Sequence, residues 1–141
     1  MTLDERAVAV AREWVQTAEN DLRTAAHTLK LGRTCPTDTV CFHAQQCVEK
    51  YLKALLTLTG TDVPKTHSID ELLGRLPRGG RPKLSDDQQD RLTEYATVMR
   101  YPGDYDPIPL AEARRAVRLA RGVRKDVRSR LPTAALRPKI D

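Results

Sequence analysis

Ala11, Val15, Ala18, Leu22, Ala25 and Leu29 recur at alternating steps of four and three. Apolar residues at that spacing line one stripe of an α-helix, and in a strand they would scatter over both faces. Gly32 ends the segment, and Cys35-Pro36 forms the connection to the next. Nothing in the chain competes with this helical signal. There are no alternating Val/Ile/Thr runs and no Asn-Gly turn, and the only asparagine is Asn20. Aromatic residues make up only 4% of the chain, so a helical core must be built from Leu, Val and Ala.

Four further helices are expected. The second starts near Asp38, read as its N-cap, and runs to Gly60. Val40, Ala44, Cys47, Val48, Tyr51, Leu55 and Leu58 form one broad face, with Phe42, Leu52 and Leu56 around the sides. A helix apolar on more than one side is central, or packs against a second molecule. A short helix over Ser68–Leu76 has Ser68 as cap and Glu71 at the capping-box position. The basic linker PRGGRPK (77–83) follows. Ser85-Asp86-Asp87-Gln88 opens the next helix with a second capping box, and Leu92, Tyr95, Ala96 and Met99 face inward along it. Pro102 stops it, and the last helix begins around Pro109-Leu110. Its core stripe is Ala113, Ala116, Val117, Ala120, Val123, Val127 and Leu131. The fold expected is all-α: an up-and-down bundle of four long helices plus one short helix, spanning residues 1–131. Residues 132–141 show no pattern and are expected to be a disordered tail.

The formal charge of +5 is unevenly placed. Residues 111–141 hold ten Lys/Arg against three Asp/Glu, whereas residues 1–110 carry a net −2. Arg114, Arg118, Arg121, Lys125 and Arg128 repeat at four-three-four-three spacing along one face of the last helix. The simpler reading is a solvated face; the alternative is a contact for RNA, a nucleotide or an acidic partner, with Arg118 and Arg121 as ligands. Arg124 falls near the core stripe and is read as pointing toward a seam. The N-terminal stretch lacks the cationic and apolar blocks of a signal peptide, and no apolar run is long enough to span a membrane. A cytoplasmic chain with three reduced cysteines is expected.

No phosphate-binding loop, dinucleotide fingerprint or zinc-protease motif occurs, and no cofactor is expected. Cys41, His43 and Cys47 lack the spacing and number of a metal site, so none is assigned. His43, Gln46, Lys50 and Lys53 share one flank of the second helix at steps of three, four and three. This is either a solvated flank, with Glu49 and Lys53 an exposed i, i+4 pair, or a polar seam with a neighbour. Spacing does not separate the two. His67, before the cap Ser68, is read as a loop-fixing histidine with no catalytic partner close in sequence. The densest polar-aromatic cluster is Arg100 with Tyr101-Pro102-Gly103-Asp104-Tyr105, on a loop where a rigid scaffold commonly holds a site.

The stretches FHAQQCVEKYLKALL (42–56), KTHSIDELL (65–73) and MRYPGDY (99–105) together resemble the HEPN family, the higher eukaryotes and prokaryotes nucleotide-binding domain, in its small stand-alone prokaryotic type. The run A-ENDL-AA at 18–26 and EARRAV at the start of the last helix extend the likeness over about residues 8–128. The resemblance implies a four-to-five-helix bundle that forms homodimers. It also implies a minimal nucleotidyltransferase partner, in some cases as toxin and antitoxin. Ribonuclease members carry Arg-x(4–6)-His at the dimer cleft, and in some toxins a nearby tyrosine is nucleotidylated. Arg100 matches the arginine, but no histidine follows it anywhere in this chain. Tyr105 stands at Arg-x(4)-Tyr, and a phenol with an ordinary pKa of about 10 is a poor base.

The expectation is therefore a nucleotide- or RNA-associated homodimer working with a nucleotidyltransferase. Arg100 and Tyr105 stand at its chemistry. Arg100, Tyr101, Asp104, His43, Lys50, His67, Arg118 and Arg121 are candidate ligand contacts. A metal-independent toxin endoribonuclease and a non-enzymatic interaction module are the alternatives.

Overall fold

The computed structural model describes residues 4–97, 103 and 106–138. The described residues form six helices: α1 (Glu5–Leu29), α2 (Thr37–Thr57), α3 (Ile69–Gly74), α4 (Asp86–Thr97), α5 (Leu110–Arg130) and α6 (Thr133–Leu136). Four are long and no strand occurs among them, so the fold is an all-α bundle. Met99, expected to face inward from α4, lies outside the described residues.

Local chemistry accounts for most of the boundaries. Asp4 caps α1 by accepting from Arg6 N–H at 2.9 Å. Gly32, at φ +61°, turns the chain out of the helix. Ser68 Oγ accepts from Glu71 N–H at 3.3 Å. At α4 the capping box is reciprocal: Gln88 N–H donates to Ser85 Oγ at 3.1 Å, and Ser85 N–H to Gln88 Oε1 at 2.9 Å. Asp38 is not the cap of α2. Pro36 occupies that position, and Asp38 sits in the first turn, accepting from Thr39 N–H.

The second helix is the axis of the bundle. It touches α1, α3, α4 and α5. Antiparallel pairing with α1 follows from the contacts: Asp21 meets His43 and Lys50, and Trp14 meets Lys53 farther along. α5 runs parallel to α2, since Thr37 Oγ1 donates to the Ile108 carbonyl at one end and Arg128 reaches Tyr51 at the other. Being covered on several sides, α2 buries thirteen residues, among them Gln45, Glu49 and Lys53. The seam residues Ala11, Val15, Ala18, Leu22 and Ala25 are all buried, and the last-helix stripe from Ala113 to Leu131 is buried as read from its spacing.

The segment after Pro132 corrects the expected disordered tail. Thr133–Leu136 is a helical turn that docks on α1: Ala135 is buried, and Arg12 Nε donates to the Ala134 carbonyl at 2.9 Å. Four residues are too few for a periodic signature, so burial of one alanine and one long-range hydrogen bond place this turn. Residues 139–141 lie outside the described part.

The α1–α2 contact depends on small side chains. Ala11, Ala18, Ala25 and Ala44 are fully buried along it, which lets the two backbones approach closely. Ala18→Leu would add apolar surface but has no space to place it. It is expected to lower unfolding free energy by about 1–3 kcal/mol in urea denaturation followed by circular dichroism. Unchanged or increased stability would show that the seam is loose.

Candidate functional site, a polar seam along the central helix

Three charged clusters radiate from α2, each anchored by a carboxylate that composition alone does not mark. The first joins α1 to α2. His43 Nδ1 lies 2.7 Å from Asp21 Oδ1, and Lys50 Nζ donates to Asp21 Oδ2 at 2.6 Å. Asp21 is three residues after Ala18 and four before Ala25, so it sits on the buried stripe and is 8% exposed. A carboxylate there must be paired, and the two α2 side chains supply both partners. Facing a carboxylate, Nδ1 carries a proton in either charge state of the ring, which leaves Nε2 to act as acceptor when the imidazole is neutral. The Phe42 ring packs edge-on against His43 at 5.4 Å and is itself partly exposed.

The second cluster repeats that plan one and a half turns along. Glu49 Oε1 accepts from Gln45 Nε2 at 3.1 Å and lies 2.7 Å from His67 Nδ1, while Oε2 accepts from Lys53 Nζ at 3.1 Å. The Glu49–Lys53 pair is therefore buried, contrary to its expected place on a solvated face. It is covered by the loop that brings His67 back along α2 and by Trp14, whose ring centre is 5.5 Å from Lys53 Nζ. The His67 carbonyl also accepts from Gln45 Nε2 at 3.2 Å, so the loop is held at this residue by two α2 side chains, with the ring on a carboxylate instead of the backbone. Burial pushes the Glu49 carboxyl up in pKa, but hydrogen bonds from Gln45, His67 and Lys53 outweigh it and leave the group below its ordinary value.

The third cluster faces the other way, toward α5. Glu19 accepts from the Tyr51 hydroxyl, from Arg124 Nε at 2.6 Å and from Arg128 Nη1 at 3.1 Å. Burial raises the Glu19 pKa, and these donors more than reverse that. Burial and the neighbouring Glu19 push the Tyr51 phenol well above its usual value, so it stays a neutral donor. Arg124 thus points into a seam, as its position implied. Arg128 leaves the arginine stripe for the same carboxylate. Arg114, Arg118, Arg121 and Lys125 have no ion-pair partner among the described residues.

The clusters sort the candidate residues. His43 and Lys50 come together on Asp21, whereas His67 joins a separate carboxylate. Arg118 and Arg121 are exposed on α5. Arg100, Tyr101, Asp104 and Tyr105 lie outside the described residues. Within that loop Gly103 is described, at φ +89°, a conformation that a side chain would strain. Ile108 is buried, and its carbonyl accepts from Thr37 at 2.7 Å. His43 is six residues on from Thr37, about 9 Å of helix rise. Among the described residues no group of three His, Cys, Asp or Glu side chains is placed to hold a metal ion. Cys35, Cys41 and Cys47 form no disulfide. Burial drives the Cys47 thiol strongly upward in pKa, away from any nucleophilic role.

Asp21, Glu49 and Glu19 were not singled out as site residues. For Asp21 the signal was present: an acid at seam spacing. For Glu49 it was hidden, because i, i+4 spacing to Lys53 reads equally as a surface pair. Since the folded Glu49 pKa is depressed, its stabilisation is present above the ordinary glutamate value of about 4.5 and fades as pH falls through the folded value. Glu49→Gln leaves Lys53 buried without its carboxylate. It should cost about 3 kcal/mol at pH 7 in urea unfolding, with the gap to the parent narrowing at pH 4 and below. A gap that is constant with pH would refute the buried-pair account.

Comparison with known proteins agrees with the helical fold. The HEPN domain family profile matches residues 11–130. No curated protein matches the chain. Among solved structures, TT1696 from Thermus thermophilus is 32% identical, with a TM-score of 0.67 over 86% of this chain and 98% of that one. Among the described residues no helix is long and apolar enough to cross a membrane. With the family profile spanning all four long helices and their polar seams, the chain belongs to the HEPN domain family.

Proposed function

We propose that the protein binds the phosphates of RNA or of a nucleotide as a homodimer, acting with a minimal nucleotidyltransferase partner as one half of a toxin–antitoxin pair. The observation that carries the phosphate reading is the Asp21–His43–Lys50 cluster. It joins an oriented imidazole to an ammonium group at a surface where both remain about a quarter exposed. Lys50 supplies charge for a phosphate oxygen, and His43 Nε2 is available to accept or give a proton. Arg100 and Tyr105 lie in sequence between α4, which ends at Thr97, and Ile108, whose carbonyl accepts from Thr37 of α2. Arg100 binds phosphate in this reading, with Tyr101 and Asp104 beside it. Tyr105 hydrogen-bonds or is modified. The nucleotidyltransferase and the dimer rest on family membership.

The Asp21–His43 pair also favours the second reading, a metal-independent ribonuclease. There His43 Nε2 would take the proton of the RNA 2′-hydroxyl as that oxygen attacks the adjacent phosphorus. The bond from phosphorus to the 5′-oxygen of the next nucleotide would break, leaving a 2′,3′-cyclic phosphate, and that 5′-oxygen would take its proton from solvent. A carboxylate-oriented imidazole is what the missing histidine after Arg100 would otherwise provide.

Purified protein should bind labelled RNA or nucleotide, and Arg100→Ala and Lys50→Gln should each weaken it roughly tenfold in equilibrium titrations. If no nucleotide or RNA binds, the phosphate reading falls and a non-enzymatic interaction module stands in its place. Cleavage lost in both Arg100→Ala and His43→Gln would support the ribonuclease. Equal background from all three proteins would sink it.

A further inference from the structure

The linker Pro77–Lys83 and the C-terminal half of α5 enclose a groove of about 550 Å³, lined by Arg78, Arg81, Lys83, Arg118 and Arg130 with Asp126 as its one carboxylate. That carboxylate is already committed, since Arg130 Nε donates to Asp126 Oδ1 at 2.7 Å. Arg130 also donates to the Gly79 carbonyl at 3.0 Å, which ties the linker to α5 and holds the groove's shape. Arg81 donates to the carbonyls of Leu76 and Gly74, so its position is set by backbone while its charge meets no acid. Arg78, Lys83 and Arg118 have no partner among the described residues. Five cations around one paired carboxylate repel one another, and an anion in the groove relieves that repulsion.

We propose that this groove binds a nucleic-acid strand through its phosphate backbone, as a second contact separate from the His43 cluster. The inference rests on RNA being the ligand, and it adds where the strand runs. The groove opens at Arg118 and Gly122 on α5, whereas the His43 cluster joins α1 to α2, and the two share no residue. A strand presents a row of phosphates, which suits several cations spread along one groove. Its other lining residues are Gly79, Pro82, Leu119, Gly122 and Val123, with no aromatic side chain to stack on a base. Recognition there is by charge, without reading sequence. Val123 is buried in the core and Leu119 half-buried, so neither stands out as the anchor that centres a protein interface, which favours phosphate over an acidic protein. The hollow continues past Lys83 to Ser85 and Gln88, but Asp70 and Asp86 border that end. A polyanion is therefore kept on the α5 side.

The test uses the full chain and a fluorescent single-stranded oligouridylate in anisotropy titrations from low to moderate salt. Arg78→Gln/Lys83→Gln/Arg118→Gln should weaken binding at least roughly tenfold and flatten the log–log salt dependence by about 2, at about 0.7 per phosphate contact. Its melting temperature should be unchanged, because these side chains make no hydrogen bond or ion pair among the described residues. Arg114→Gln/Arg121→Gln/Lys125→Gln removes the same charge from the exposed stripe and should have a much smaller effect. Equal losses in the two triple variants would overturn the groove. So would displacement of the oligonucleotide by polyglutamate as effectively as by unlabelled polyuridylate. Binding that survives the groove variant but is lost in Arg100→Ala would overturn this inference alone. Failure of the parent protein to bind RNA at all would overturn it together with the RNA reading of the previous section.

Discussion

Burial of α2 on nearly every side is the constraint on which the other features of this molecule depend. A helix surrounded by α1, α3, α4 and α5 cannot turn its polar residues to water, yet this one carries Gln45, Glu49, Lys50 and Lys53 within nine positions. Each charge must then find a counter-charge inside the bundle, because an unpaired ion there costs several kcal/mol. The result is a set of carboxylates shared by two or more donors. Among the described residues, no buried side-chain nitrogen or oxygen lacks a hydrogen-bond partner.

This arrangement ties orientation to chemistry. Asp21 and Glu19 are two residues apart on α1, so their side chains leave the helix in nearly opposite directions. One reaches His43 and Lys50; the other reaches Tyr51, Arg124 and Arg128. Alanines along the α1–α2 seam bring the backbones close enough for short side chains such as Asp21 to bridge them. The packing that stabilises the fold thereby also fixes which nitrogen of His43 faces outward. Stability and the candidate chemistry rest on the same contacts.

The charge asymmetry resolves along similar lines. The excess of basic residues after position 110 divides among four environments, one of them the exposed patch of Arg114, Arg121 and Lys125. Arg124 and Arg128 are consumed by Glu19, Arg130 holds the linker, and Arg118 borders a groove whose remaining cations come from residues 78–83. A five-residue stripe read along α5 thus becomes a smaller exposed patch and a shaped cationic hollow. Arg124 and Arg128 are turned onto Glu19, whereas Arg81 is held by backbone carbonyls and keeps its full charge toward a ligand.

The order of α1 to α5, the Ser68 and Ser85 caps and the buried stripes were legible in the amino-acid order, because helical period and capping chemistry act within a few residues; the α6 turn and the Pro36 cap of α2 were not. The stripe from Ala113 to Leu131, the Ser68 cap and the Ser85–Gln88 box all follow from local spacing. The family likeness was legible too, carried by runs such as FHAQQCVEKYLKALL. Which charge meets which was not, since Asp21 and His43 are 22 residues apart and Glu19 and Arg124 are 105 apart. Spacing along one helix also could not separate an exposed Glu49–Lys53 pair from a buried one. That depends on Trp14 and the His67 loop closing over it. Periodicity is a property of one segment, whereas desolvation and charge pairing belong to segments brought together, and they exist only once the helices have packed.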